Sequence, residues 1–338
     1  MRFDPRAAWA SALLHASRWL DHPQPVVRLE VLRIVGPLAI LGFMSDRLAH
    51  VTEWVGVTGF RLQDVPDWRS PTFPRGLPPG LAWTLAGLMV VSAIATSAGY
   101  RTRWSSLLFA ATLFAVGVLD HLSSFTVTKI GPVLMLVVSL SRAGRLLGVD
   151  AWRRRARGCK RPRRLRPLAA VRFLQLFLAV FYCASGIAKA EGDWLRMPLV
   201  MWSHLHDSYQ TPVAYALASH LPGWLWTVTQ GLVLAFETLA PVWFGLARTR
   251  NVALAFALSM HVGIALMFGP VVWFAILMIA VLVTAYLPER CFVPLERAAG
   301  YRLKGDPPMG SCLSGPRRRW PAFSPSPSFN CTQGTDRP

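Results

Sequence analysis

Charged residues are scarce in this sequence: 17 acidic and 36 basic residues make up only 16% of its 338 positions. Hydrophobic residues fill 53% of the chain, above the about 45–50% of a soluble domain. Several uninterrupted apolar stretches reach the about 20 residues that a helix needs to cross a bilayer. These properties argue against a soluble domain and predict an all-α fold, a polytopic transmembrane helical bundle.

Paired cysteines and metal-binding motifs are also missing from the sequence. The five cysteines show no paired spacing, and no zinc-ligand spacing occurs. Four of the five fall in segments that we assign to the reducing side of the membrane, where disulfides rarely persist. We therefore expect no structural disulfide and assign no metal-ligating residues.

The positive net charge of +19 does not indicate a nucleic-acid partner. Much of it lies in one block, residues 141–166, which stands between two apolar segments. Such a block typically marks the cytoplasmic side of a membrane and contacts anionic lipid. No interleaving of aromatic and basic residues accompanies it, so the expected partners are membrane lipids and not nucleic acid.

The chain divides into three regions by composition. Residues 1–25 show no cleavable signal peptide and predict a short amphipathic helix, with Trp9, Leu13 and Leu14 at helical spacing. Residues 26–290 predict a transmembrane domain. Residues 291–338, rich in Pro, Ser and Gly towards their end, predict a disordered cytoplasmic tail.

The apolar pattern predicts about eight membrane spans, the third and fourth of which are short. Arg and Lys concentrate in alternate connections, and this bias places both termini in the cytoplasm under the positive-inside rule. The predicted spans are 28–45, 80–99, 104–119, 127–142, 169–189, 225–246, 252–269 and 271–287.

A polar stripe runs along the predicted fifth span and ends at Lys189. Ser185, Tyr182 and Gln175 precede this lysine by four, seven and fourteen residues, so they lie on the same side of a helix. Such a stripe should face the bundle interior. Because Ser185 and Gly186 are small, a neighbouring helix can approach the span closely at this level.

Two interpretations of Lys189 follow from its position. Burial can lower the pKa of a lysine by about 3–5 units, and a neutral amine can then remove a proton from an acidic hydroxyl such as that of a reduced quinone. Alternatively, Lys189 lies close enough to the end of the span to snorkel to the membrane interface. Periodicity alone does not separate the two.

Other ionisable residues in or near the spans allow similar alternatives. His261 suits either an interhelical hydrogen bond or a substrate pocket, and Glu237 suits either a pocket or a structural partner such as His261 or Arg33. His121 is either a solvated loop residue or a functional one. His204 and His206, two residues apart, are interpreted as solvated loop residues.

The segment "SGIAKAEGDW" resembles the lysine motif of the horizontally transferred transmembrane domain, which is shared with vitamin K-dependent gamma-carboxylase. The matching residues are Tyr182, Gly186, Ile187, Lys189, Asp193 and Trp194. The segment "MHVGIALMFG" with His261 is a second specific match, and weaker similarities include "LDHLSSF" with His121 and "FETLAPVWF" with Glu237. The resemblance covers about residues 26–290.

The resemblance implies that Lys189 occupies the position of the base that deprotonates vitamin K hydroquinone, with His121 as a second catalytic residue. The cofactor would be a reduced, vitamin K-like quinone. Ala188 stands where the carboxylase has a second lysine, and the large lumenal domain of the carboxylase has no counterpart after the last predicted span. Carboxylation of a docked protein is therefore not expected.

Together these observations predict an integral membrane enzyme, either gamma-carboxylase-like or a quinol-dependent lyase or oxidoreductase. The expected location is a bacterial inner membrane, with the reacting lysine at its outer face. Tyr182, Ser185, Trp194, Glu237 and His261 are expected to form the substrate pocket. The alternative is a non-catalytic scaffold or lipid-binding partner in protein maturation.

Overall fold

The computed structural model describes residues 17–57, 76–119, 125–141, 143–158, 164–206 and 210–301. Within these ranges the protein is an all-α bundle with one short two-stranded sheet. The helices are α1 (Arg28–Ala49), α2 (Val51–Trp54), α3 (Pro79–Ala98), α4 (Thr102–Leu119), α5 (Thr126–Leu140), α6 (Val149–Ala156), α7 (Ala169–Glu191), α8 (Val200–His204), α9 (Pro212–His220), α10 (Gly223–Thr238), α11 (Ala240–Gly245), α12 (Arg250–Met267), α13 (Val272–Tyr286) and α14 (Val293–Ala298), with a 3-10 turn at Glu289–Phe292.

Each of the eight predicted spans is helical in the structure, but the sixth is two helices rather than one. Helix α10 ends at Thr238, and α11 starts at Ala240 with Pro241 in its first turn. A proline has no N–H to donate to the carbonyl one turn earlier, and its ring collides with that carbonyl. The proline therefore breaks the helix next to Glu237.

The length and hydropathy of the helices limit how many of them can cross a membrane. Among the described residues, four helices are long and apolar enough to cross a bilayer: Pro79–Ala98, Thr102–Leu119, Ala169–Glu191 and Arg250–Met267. A fifth crossing is added if Val272–Tyr286 and Glu289–Ala298, which meet at a bend of 114°, count as one span. The prediction of eight spans therefore stays a prediction.

Large apolar side chains fill the core of the bundle and also lie on its outer surface. Leu29, Leu32 and Ile40 of α1 are fully buried, whereas Val91 of α3 and Phe114 of α4 are about two-thirds exposed. A helix that is hydrophobic all round, with apolar side chains on its free face, suits a hydrocarbon environment. The exposed apolar surface is thus the expected lipid contact.

A buried ion pair ties α1 to the loop that follows α5. Arg33 Nε donates to Glu30 at 2.6 Å, and both side chains are almost completely buried. The guanidinium also donates to the backbone carbonyl of Leu147 at 2.7 Å, while Glu30 accepts from the amides of Gly144 and Leu146 at 2.9 and 3.1 Å. Arg33 is thus not the partner of Glu237.

The same end of the bundle carries the short sheet. Strand β1 (Pro23–Pro25) pairs antiparallel with β2 (Leu165–Pro167), just before α7 begins. Beside it, Arg164 donates twice to Glu296, at 2.8 and 2.9 Å, and these hydrogen bonds raise the pKa of the Arg164 guanidinium. The chain segments at this end are therefore held to one another by polar contacts.

Candidate functional site

Lys189 and Glu237 form an ion pair between α7 and α10. The Lys189 Nζ atom contacts Oε2 of Glu237 and donates to the Ser185 hydroxyl at 3.1 Å. The Glu237 side chain is only 6% exposed, and that of Lys189 is 26% exposed. The lysine is thus neither fully buried nor extended into solvent, and its closest partner is a carboxylate.

The close approach of α7 and α10 depends on Gly186. A Cβ atom added to Gly186 would lie 2.7 Å from the Thr238 hydroxyl and 2.8 Å from the carbonyl carbon of Glu237. Any larger residue would push the two helices apart. Gly186 therefore sets the separation across which Lys189 reaches Glu237.

The turn after α7 covers the lysine and is held in place by Gln230. The Lys189 ammonium lies 5.1 Å from the centre of the Trp194 ring, within the range of a cation–π interaction. Gln230, which is almost completely buried, donates to the backbone carbonyls of Trp194 and Met197 at 2.7 and 2.9 Å. Its carbonyl oxygen accepts from the Met201 amide at 3.1 Å.

A cavity of about 570 Å³ opens beside the ion pair. Its wall consists mainly of apolar side chains, many of them from α12 and the turn that follows it, and Lys189 and Glu237 supply its charged groups. Small-molecule sites of about 300–1,000 Å³ with few polar groups are common in proteins. The remaining lining residues are Trp194, Met201, His204, Thr229, Val233, Phe256, Ser259, Met260, Gly263, Ile264, Met267, Phe268, Val271 and Phe274.

Tyr182 and His261, both expected in the pocket, do not line this cavity. Each is 2% exposed, and the Tyr182 hydroxyl lies 2.7 Å from Nε2 of His261, which links α7 to α12. In the described part of the chain, Nδ1 of His261 has no hydrogen-bond partner. The interhelical hydrogen bond considered for His261 is therefore present, and the pair packs behind the cavity wall. Ser185 reaches the site through Lys189 and does not line the cavity either.

The other three histidines considered in the sequence analysis are His121, His204 and His206. His121 lies outside the described residues. His204, interpreted above as a solvated loop residue, is exposed but also lines the cavity. His206 is exposed, and its Nδ1 lies 3.0 Å from the backbone carbonyl of Trp202.

Glu237 was expected in the site from the sequence, whereas Gln230 was not assigned to it. Gln230 and Glu237 lie seven residues apart on α10, which places both on the face towards α7. That spacing could have assigned Gln230 to the site. Helical periodicity shows which residues share one face of a helix, but not which residue of a neighbouring helix they contact. The contact between Lys189 and Glu237 could therefore not be predicted from it.

The described residues were also compared with the ligand sets that metal ions use. Within the described ranges, no group of three or more His, Cys, Asp or Glu side chains is arranged to hold a metal ion.

The helices, their lipid-type surface and the buried charge pairs define an integral membrane protein of the polytopic helical class. A sequence profile for the HTTM domain matches residues 71–289, well over half of the chain. The protein therefore belongs to the HTTM domain family, in line with the resemblance to the gamma-carboxylase membrane domain. The match includes Lys189, Glu237 and His261. Neither a search of curated proteins nor a search of solved structures found a match.

Proposed function

We propose that this protein is a membrane enzyme in which the Lys189–Glu237 pair accepts a proton from a lipophilic, quinol-like substrate. The observation that carries the proposal is the position of the pair, on the wall of an otherwise apolar cavity. An apolar cavity accommodates a hydrophobic ring, and a single charged pair within it provides a specific place for an acidic hydroxyl.

The pair acts as one proton-accepting unit. An ammonium beside a carboxylate and an amine beside a carboxylic acid hold the same number of protons, so the pair can be counted as one group with one proton. When the substrate O–H bond breaks, its proton passes to this pair, which then carries one positive charge. The new oxyanion gains stabilisation from that charge in a poorly hydrated site.

A reduced quinone is the proposed cofactor or substrate, and the aromatic side chains of the cavity suit its ring. Phe256, Phe268 and Phe274 lie on the cavity wall, and Trp194 covers Lys189. Offset or edge-to-face packing against such rings would orient a quinol. The residues present thus fit the group.

The proposed setting is the outer face of a bacterial inner membrane, with both chain termini in the cytoplasm. Lys189 lies near the C-terminal end of α7, and the arginine-rich segments lie at the opposite end of that helix. The positive-inside rule then directs the Lys189 end outward.

Binding of a quinol tests this proposal before any reaction is known. The detergent-purified full chain is titrated with menadiol under anaerobic conditions, and tryptophan fluorescence reports binding. Gly263 lines the cavity, whereas nothing lies within 4 Å of a Cβ atom added at Gly231 on α10. We expect Gly263→Leu to abolish menadiol binding and Gly231→Leu to preserve it.

Proton transfer needs a second measurement. The wild-type protein should bind menadiol as its anion, seen as an ultraviolet shift, whereas Lys189→Met and Glu237→Gln should bind only the neutral quinol. The proposal would be wrong if all cavity variants bound menadiol as tightly as the wild type. It would also be wrong if the wild type bound no menadiol anion at any pH.

A second candidate function is a non-catalytic scaffold or lipid-binding partner. It is favoured by two observations: Lys189 is partly exposed, and its charge is already balanced by the Glu237 carboxylate. In that case the pair would join α7 to α10, and an acyl chain would fill the cavity. Phospholipid retention that falls in Gly263→Leu, without any menadiol binding in the wild type, would support this alternative.

A further inference from the structure

A second cavity, of about 750 Å³, lies at the opposite end of the bundle from Lys189. The start of α4, the end of α5, the loop after α5 and helix α6 enclose it. Six arginines and a single aspartate line it: Arg101, Arg103, Arg145, Arg153, Arg154, Arg157 and Asp150. The cavity is therefore strongly cationic.

Four of the six arginines keep an uncompensated positive charge in the described part of the chain. No ion pair joins Arg101, Arg103, Arg154 or Arg157 to an acidic side chain there, and Asp150 forms none either. In addition, the hydroxyl of Thr102, a buried residue of the cavity lining, has no hydrogen-bond partner among the described residues. Cationic side chains and an unused hydroxyl are suited to an anion with several oxygen atoms.

The cavity is held in shape by the buried core of the protein. The amides of Gly144 and Leu146, on either side of Arg145, donate to the buried Glu30 carboxylate. The Asp150 amide donates to the Gly99 carbonyl at 3.0 Å, and the Ser139 hydroxyl donates to the Arg103 carbonyl at 2.8 Å. The arginine-bearing segments are thus anchored to α1, α3 and α5.

An apolar groove of about 500 Å³ continues from this cavity. Leu140 and Ser141 line both, and the groove extends over side chains of α5 and α7, among them Leu136, Ala170 and Phe173. On the rim of the cavity, Trp104 is 66% exposed and Leu140 79% exposed. A charged recess therefore adjoins a strip of hydrocarbon-facing surface.

We propose that the cavity and the groove together bind one anionic phospholipid. The arginines hold its phosphodiester headgroup, and one acyl chain lies in the groove between α5 and α7. A basic recess between membrane helices on the cytoplasmic side suits an anionic headgroup. A soluble phosphate compound would use the arginines but would have no use for the apolar groove.

The headgroup part is tested with three arginine substitutions in the full chain. Thermal unfolding in detergent is followed while dioleoyl phosphatidylglycerol or dioleoyl phosphatidylcholine is added. We expect the phosphatidylglycerol to stabilise the wild type and the phosphatidylcholine to have little effect. In Arg103→Gln/Arg154→Gln/Arg157→Gln the apparent affinity should fall about a hundredfold, since each arginine near an anionic lipid contributes about fivefold.

A matched control removes the same charge elsewhere. Arg196→Gln/Arg248→Gln/Arg290→Gln changes three exposed arginines outside the cavity and should retain wild-type affinity. Equal losses in the two triple variants would show a general charge effect and overturn the proposal. An unchanged affinity in the cavity variant would overturn it as well.

The acyl-chain part is tested on α7. Ala170 lines the groove, whereas Ala184, fourteen residues further along the helix, is exposed and lines none of the cavities described above. Ala170→Trp should lose stabilisation by the dioleoyl lipid, and Ala184→Trp should keep it. If inorganic phosphate competes with the lipid at similar concentrations, or Ala170→Trp binds normally, the ligand is not a phospholipid.

Discussion

At the scale of single residues, the charge of Lys189 is balanced by one carboxylate that has almost no contact with solvent. A paired charge that loses its partner inside a protein is far more costly than the intact pair. Glu237 therefore constrains what can replace Lys189, independently of any catalytic role.

The first prediction concerns removal of one charge from this pair. Lys189→Met leaves the buried Glu237 carboxylate without its cation and should reduce stability by about 3–5 kcal/mol. The double variant Lys189→Met/Glu237→Leu should recover most of that loss. Thermal unfolding in one detergent measures both. If the double variant is no more stable than the single one, the pair is not coupled as the structure implies.

The sequence could predict which residues matter here better than it could predict their contacts. Lys189 stands out because a lone lysine ends a long apolar run, and Glu237 because an acid inside an apolar helix is costly. The contact between Glu237 and Lys189, rather than with His261 or Arg33, depends on the relative height of two helices. No pattern within one helix contains that information.

At the scale of helices, the small residues of α7 determine how closely α10 approaches. Gly186 lies against the backbone of Glu237 and Thr238, so its missing side chain is a packing requirement. Gly231 on α10 has no such neighbour and provides a comparison within the same pair of helices.

The second prediction uses that comparison. Gly186→Leu should separate α7 from α10 and destabilise the protein by about 1–3 kcal/mol or more, as overpacked positions do. Gly231→Leu should leave the melting temperature close to that of the wild type. A Gly186→Leu protein that unfolds like Gly231→Leu would contradict the close packing seen here.

The third prediction concerns the Glu30–Arg33 pair, which joins α1 to the loop carrying Arg145. Arg33→Met alone should be strongly destabilising, because it leaves Glu30 buried and unpaired. Glu30→Leu/Arg33→Met should regain stability but free the loop at 144–147. Limited trypsin digestion should then cleave at Arg145 faster than in the wild type, and an unchanged rate would show that the pair does not hold the loop.

At the scale of the whole molecule, the apolar pattern predicted the helices more reliably than the number of crossings. All eight predicted segments are helical, because long apolar runs can satisfy their backbone only as helices in lipid. The number of membrane crossings is harder to predict, because α1 carries buried charges and Pro241 divides the sixth predicted span. Those features arise from tertiary contacts, which hydropathy does not measure.

The fourth prediction decides whether the divided segment α10–α11 crosses the membrane or returns to the side it came from. Its two helices contain 16 and 6 residues. At 1.5 Å per residue they would extend about 33 Å, enough for a hydrocarbon core of about 30 Å. A full crossing puts His206, before α10, and Arg248, after α11, on opposite sides.

Cysteine labelling in intact cells measures this directly. In a variant without native cysteines, His206→Cys should react with a membrane-impermeant maleimide, because His206 is exposed at the proposed outer end. Arg248→Cys, also at an exposed position, should react only after the membrane is permeabilised. Labelling of both without permeabilisation would make α10–α11 a re-entrant pair. The Lys189 site would then lie beside a re-entrant hairpin, and the eight-span arrangement would be wrong.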